Sequence, residues 1–422
     1  MNNDQPQFVI TNVNIFDGTS DQLAKGMSVL IEDNKISKIG KDIQAPKDAT
    51  VIDAKGCTLT PGLIDSHTHL IWNLGELEML SAPQDYLAAL AINEARDTLM
   101  RGFTSIRDVA GSVFGIKQAI DEGYFEGPRI WCAGAAVTMT AGHIDVRNNS
   151  VPPRQMGGPA QTEAELVGMA IIADGVPEVI CAARMQFRKG AHLLKMTVGG
   201  AVSGLYDPLD IIEYSFDEMK AAADEAKRWN TYLAIHAYTD QAIQQALNAG
   251  AMSIEHGTMI TEDTVKLIKE KGAFLSTQTE VYVGEPPESW TPAQKERQLS
   301  VRKSLSNMFE LVKEYKLKIA LGTDLVGGAA KDVQRFELTN RLEWFTPAEI
   351  LTQATANNGE LLSWSGPRNP YPGKLGVIEE GALADILLVK GNPLENLELF
   401  NDPEENLLLI MKDGKIYKNI IK

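Results

Sequence analysis

Cysteine is scarce in this chain: Cys57, Cys132 and Cys181 are the only three among 422 residues, far apart and without a Cys-x-x-Cys spacing. That excludes a disulfide-stapled scaffold and leaves buried free thiols as the expectation. Long apolar runs are missing as well, and no stretch approaches the roughly 20 residues needed to span a bilayer. Met1-Asn-Asn-Asp-Gln-Pro-Gln7 has neither the basic start nor the apolar core of a secretory signal. The expected protein is therefore soluble, cytoplasmic by that absence, and periplasmic or secreted only if a leader was removed and replaced by an initiator Met. Basic charge is also short, with 40 Lys and Arg against 56 Asp and Glu and a net charge of -16. A phosphate backbone is repelled by such a surface, so no nucleic acid partner is expected, and no membrane partner either. What is present, 44% hydrophobic and 23% charged residues, is the composition of a folded enzyme with a large core.

Both ends of the chain carry antiparallel β chemistry. Residues 8 to 59 alternate short apolar runs with turns, and Asp385–Val389, Leu407–Met411 and Gly414–Tyr417 repeat the pattern, so the two termini are expected to build one small β domain. Between them, apolar strand-like segments alternate with helical ones at βα spacing. The expected strands are Gly62–His67, Thr104–Val109, Arg129–Thr138, Leu193–Val198, Tyr232–His236, Met252–His256, Phe274–Gln278 and Lys318–Thr323. Eight of them predict an α/β protein with a closed (β/α)8 TIM-like barrel. Helices are expected over Asp85–Arg101, Phe216–Trp229, Asp240–Asn248 and Thr261–Lys271, the last capped by Thr261, and another opens at Thr346-Pro-Ala-Glu349. Two long connections, 139–163 and 284–306, are expected as pocket walls or lids.

The chemistry concentrates at strand ends. An apolar run feeds His67-Thr-His69, whose two-residue spacing sends both imidazoles to one face, as a metal-ligand pair requires. Alone, such a pair is equally well two surface histidines, and a single strand-end histidine such as His236 is more often satisfied by the backbone. Lys195, His236, His256 and Asp324, however, also fall at or near the C-terminal ends of expected strands, the catalytic face of this fold. Lys195 is the odd member. An ammonium on an apolar strand loses hydration with no evident carboxylate partner in the sequence, and burial beside cations lowers its pKa. The neutral amine can add carbon dioxide to give a carbamate, an anionic two-oxygen ligand for two metals. The alternative is a lysine snorkelling beside the site.

These motifs together, Pro-Gly-Leu-Ile-Asp-Ser-His67-Thr-His69, Leu-Leu-Lys195-Met, His236-Ala-Tyr238, Ile-Glu-His256-Gly and Leu-Gly-Thr-Asp324, resemble the amidohydrolase superfamily in its branch of imidazolonepropionase-like and prolidase-like metallo-dipeptidases. The resemblance runs over nearly the whole length. It implies two divalent metal ions, usually zinc: one held by His67, His69 and Asp324, the other by His236 and His256, with N6-carboxylated Lys195 between them. It also implies that residues 1–59 and 373–422 form a β-sandwich around a 60–372 hydrolase barrel. His143, in Thr140-Ala-Gly-His-Ile-Asp145, and Tyr238 match positions that in similar dipeptidases hold the substrate carboxylate or polarise its carbonyl. Relatives commonly have Gly where this chain has Ile144, a less permissive residue.

In such a site the metals acidify a bridging water and polarise the scissile carbonyl, and Asp324 shuttles the proton to the departing amine. The expected function is hydrolysis of C–N amide bonds in small carboxylate-bearing substrates, dipeptides or N-acyl amino acids. A cyclic-amide hydrolase, a deaminase, a lactonase or a phosphotriesterase uses a similar site, and fold alone does not choose among them. A non-enzymatic scaffold is a further alternative, against which stand six filled ligand positions. The expected partner is a small molecule, and homo-oligomers are common among similar proteins. His192, at odd spacing from Lys195, reads as structural, and Arg107-Asp108 as scaffold.

Overall fold

The computed structural model describes residues 7–288, 290–324, 326–327 and 330–421. Residues 1–6, on which the leader expectation rests, and Ser289 in the second long connection lie outside it. Five strands open the described chain: β1 Phe8–Ile15, β2 Ala24–Glu32, β3 Lys35–Gly40, β4 Thr50–Asp53 and β5 Thr58–Pro61. Ten follow: β6 Leu63–Thr68, β7 Phe103–Asp108, β8 Arg129–Cys132, β9 Ala136–Thr138, β10 Ala170–Ile172, β11 Leu194–Thr197, β12 Leu233–Thr239, β13 Ser253–Met259, β14 Phe274–Thr277 and β15 Ile319–Leu321. Three close it: β16 Ile386–Val389, β17 Leu407–Lys412 and β18 Lys415–Asn419.

The terminal strands join in one sheet of order β18-β17-β16-β5-β1-β2-β3, with β4 beside β1. The two ends of the chain meet where β5 runs antiparallel to β16, Leu59 opposite Leu388. Apolar residues from both ends, among them Ile10, Ile31, Leu59, Ile386 and Leu409, share one buried cluster. Burial at roughly 25 cal/mol per Å² of apolar surface is what commits these distant segments to each other.

The central strands are all parallel, in the orders β6-β7-β8 and β10-β9-β11-β12-β13-β14-β15. Helices alternate with them, among them Gln84–Met100, Val176–Lys189, Phe216–Arg228, Asp240–Ala249 and Glu262–Lys271, as in a TIM-barrel-like α/β fold. The two sheets touch at both flanks. His67 O accepts from Asp324 N at 2.7 Å, and Ser66 Oγ donates to Leu321 O at 2.8 Å. On the other side His192 N donates to Cys132 O at 2.9 Å.

Several expectations need correction. Residues 292–306 are not a loop: Pro292–Glu314 is one helix, opened by a capping box of Thr291 and Gln294 with Pro at its first position. The signal was in Thr291-Pro-Ala-Gln294, which repeats Thr346-Pro-Ala-Glu349, itself a capping box as expected. Thr261 precedes its helix but makes no side-chain cap bond, and its N–H goes instead to Asp240 Oδ1 at 2.8 Å. The expected third strand is split into β8 and β9 around Gly134, which has a φ of 78°. Cysteines are free as expected, but only Cys132 is buried; Cys57 is half-buried and Cys181 exposed.

A buried ion pair joins the terminal sheet to the parallel strands. Arg129, at the start of β8, donates from Nε to Asp385 Oδ2 at 2.8 Å and from Nη2 to Asp413 Oδ1 at 2.6 Å. Replacing Arg129 by Leu leaves Asp385 buried and unpaired, so Arg129→Leu is expected to cost about 3–5 kcal/mol in urea unfolding. A loss under 1 kcal/mol would show that this contact does not hold the two parts together.

Candidate metal centre

The six expected ligand-type residues lie on β6, β11, β12 and β13 or just beyond β6 and β15. His67, His69 and Asp324 each offer an atom within 4.8 Å of the others, with Asp324 Oδ1 3.3 Å from His67 Nε2 and 3.1 Å from His69 Nε2. The second expected pair adjoins the first: the His256 ring centre is 5.0 Å from that of His67 and 4.4 Å from that of His236. Lys195 is buried on β11, and its charge acts on His69, His236, His256 and Asp324. Two of these side chains stand on left-handed backbone, His256 with a φ of 75° and Asp324 with 56°. Such conformations cost about 1–3 kcal/mol for non-glycine residues and persist where surrounding structure over-determines them.

The electrostatics fit a cation. Burial holds His69 below its ordinary pKa and His236 and His256 well below, so neutral rings with bare lone pairs are favoured. His236 Nε2 is buried with no hydrogen-bond partner among the described residues. Burial pushes Lys195 down to about 8; Glu255 and Asp324 oppose the fall and Arg107 adds to it. Burial would raise Asp324, yet the neighbouring His67 and the hydrogen bonds from His67 and His69 hold its carboxyl well below the usual range. Nitrogen donors and one carboxylate are the set that a borderline divalent ion takes.

The matching family model, the amidohydrolase family, covers residues 58–417. The chain belongs to that family. Among its relatives, ochratoxinase of Aspergillus niger is 29% identical over 423 residues, covering 93% of this chain and 83% of its own. A crystal structure of a prolidase complexed with N-methylphosphonate-L-proline superposes with a TM-score of 0.90 at 30% identity, over 98% of this chain and 100% of that one. A Xaa-Pro dipeptidase with bound methionine gives 0.83 at 29%, again over 98% and 100%. These place the amidohydrolase in the prolidase-like branch, as a metal-dependent hydrolase acting on carbon–nitrogen amide bonds.

His143 and Tyr238 both border the amidohydrolase's ligand cluster. The His143 ring stacks on His236 at 4.3 Å, and Tyr238 stacks on His256 at 4.9 Å. Ile144 takes a φ of 73°, so the loop keeps a left-handed turn despite the bulky residue. Two acids that sequence reasoning missed hold this loop: His143 Nδ1 lies 3.3 Å from Asp207 Oδ2, and His143 N donates to Glu213 Oε1 at 2.6 Å. Burial lowers the His143 pKa, but Asp207, then Glu213 and Asp324, raise it above its ordinary value.

Also missed were Glu255, Tyr282 and Trp72. Glu255 supplies the carboxylate near Lys195 that the sequence did not reveal. Tyr282 lies 2.9 Å from His256 Nδ1 and 3.0 Å from the Tyr238 hydroxyl, and Trp72 stacks on His69 at 4.5 Å. Only Glu255, beside His256 in Ile-Glu-His-Gly, carried a sequence signal. His192 is scaffold as read, its Nδ1 accepting from Cys132 N at 2.8 Å while burial drives its pKa to about 3. Arg107 is scaffold as read, fully buried on Glu255.

Burial pushes Glu213 up to about 7, against hydrogen bonds from Thr197 and His143. The folded protein therefore holds a proton that the unfolded chain releases near 4.5, and the stability from this group is lost as pH rises from about 4.5 to about 7. Glu213→Gln should flatten the fall in urea-unfolding stability across that window; an unchanged slope would contradict the assignment.

Proposed function

We propose that the amidohydrolase is a binuclear metallo-dipeptidase or N-acyl amino acid hydrolase. The observation that carries this reading is the adjacency of His67, His69 and Asp324 to His236 and His256, beside buried Lys195. On this reading His67, His69 and Asp324 hold one divalent ion, His236 and His256 a second, and Lys195, carboxylated on its Nζ, serves both. Zinc suits the donor set. Such ions, when bound, supply a Lewis acid for the scissile carbonyl and lower the pKa of water towards neutrality. The reading also takes the two parallel sheets as arcs of one closed (β/α)8 barrel over residues 60–372, and the terminal sheet of residues 1–59 and 373–422 as a β-sandwich.

The residues themselves divide the work. Asp324, kept ionised by its histidine neighbours, accepts the proton released as water adds to the amide carbon, and returns it to the amine nitrogen as the C–N bond breaks. His143, biased towards its charged form by Asp207, and the Tyr238 hydroxyl hold the substrate carboxylate. The names of the relatives support small carboxylate-bearing amides, since the prolidase complex carries a proline phosphonate and the Xaa-Pro enzyme a bound methionine.

Assay of a dipeptide panel varied at the C-terminal residue, with matching C-terminal amides, tests the substrate class. Free-carboxylate dipeptides should be hydrolysed and their amides poorly; equal rates on both would contradict the assigned role of His143 and Tyr238. Asp324→Asn should lower kcat per bound metal ion by at least about 10²-fold. Turnover near the parent's would remove the proton shuttle. Lys195→Ala should bind metal poorly, with partial rescue of activity by short-chain carboxylates, and an active, metal-loaded enzyme with unmodified lysine in its mass spectrum would defeat the carbamate.

A further inference from the structure

Arg107 and Glu255 take no part in the chemistry above, yet both are fully buried among the parallel strands. Four hydrogen bonds converge on the Glu255 carboxylate. Arg107 Nη2 donates to Oε1 at 2.7 Å and Oε2 at 2.8 Å, Ser253 Oγ donates to Oε1 at 2.6 Å, and His67 Nδ1 lies 2.9 Å from Oε2. Arg107 is itself tied, donating from Nε to the Ser66 carbonyl and from Nη1 to the hydroxyls of Tyr232 and Ser253 at 3.2 and 3.1 Å.

Backbone geometry lets Glu255 do this beside a ligand. Glu255 pairs with His236 across β12 and β13, so both face the same side, and the next residue, His256, would face away in a regular strand. The left-handed φ at His256 breaks that alternation. Successive residues thereby serve one site, Glu255 beneath and His256 within.

We propose that Glu255, clamped by Arg107, is the positioning residue of the centre: it holds the proton of His67 on Nδ1 and so fixes the ring with Nε2, 3.3 Å from Asp324 Oδ1, as the atom offered to an ion. This rests on the reading of His67 as a metal ligand. An ionised carboxylate is acceptor-only, so the imidazole nitrogen facing it must carry the proton. Ligand histidines oriented this way lose about 10–100-fold in metal affinity when the second partner is changed. A glutamine at 255 makes a sharper case. Two donors, Arg107 Nη2 and Ser253 Oγ, meet Oε1 against Arg107 Nη2 alone at Oε2, so the amide oxygen takes the Oε1 place and the amide NH2 faces His67 Nδ1. The ring must then present a lone pair to it and carry its proton on Nε2, where it blocks the metal.

The test uses metal-free, histidine-15N-labelled full-length protein. Nitrogen chemical shifts of His67 should report a protonated Nδ1 in the parent and an unprotonated Nδ1 in Glu255→Gln, and calorimetric zinc titration should show affinity lowered about 10–100-fold. Ser253→Ala, which spares the carboxylate, should keep the parental tautomer. A folded Glu255→Gln with the parental tautomer, or with parental zinc affinity, overturns the proposal. Should that variant not fold, Glu255→Asp draws the carboxylate back from His67, and it must weaken zinc binding and mix the tautomers; parental behaviour there overturns the proposal equally. A parent protein that takes up no zinc sinks the metal reading instead, while the tautomer measurement still decides what Glu255 does.

Discussion

The crowding of buried nitrogen-bearing side chains into one small volume is the constraint around which this molecule is arranged. Three imidazoles and an amine lose hydration in one small volume, and burial drives each towards its neutral form. Neutral rings cannot satisfy one another's acceptors, as the partnerless Nε2 of His236 shows. A cation would suit such a set, and Asp324, held ionised, would supply its anionic corner.

The rest of the fold reads as support for that cluster. Parallel strands bring the candidate ligands together at or near their ends, and backbone bonds from Asp324 to His67 lock the last strand's exit to the first. Left-handed backbone at His256, Asp324 and Ile144 falls at the site, where packing and hydrogen bonds hold it. Beneath, Arg107 and Glu255 form a fully buried pair whose charges compensate each other. At the opposite flank Arg129 ties the terminal sheet to β8, so the barrel-like part and the sheet share load through a second buried pair.

How much of this was legible in the sequence depended on range. The candidate ligands were readable because each sits in a short local motif: an alternating strand with a histidine, lysine or aspartate at or near its end. The eight parallel strands were found for the same reason, although Gly134 cut one and the short β10 was missed, its three residues too few for a period to show. The helix at Pro292–Glu314 was misread as loop because the acidic, proline-rich segment before it masked a capping box. Asp207, Glu213, Tyr282 and Arg107 were out of reach, since their roles come from partners 26 to 148 positions away in sequence, as with Tyr282 to His256 and Arg107 to Glu255. Local pattern carries strand ends; it does not carry which buried acid faces which histidine.

The central claim is that one pocket gathers these groups around two metal ions. Anomalous diffraction at the zinc absorption edge, from crystals of zinc-loaded protein, tests it directly. Two peaks about 3.5–4 Å apart, one against His67, His69 and Asp324 and one against His236 and His256 with Lys195 between, are the expected result. A map with no peak among these residues, or with zinc only at surface carboxylates, would contradict the account.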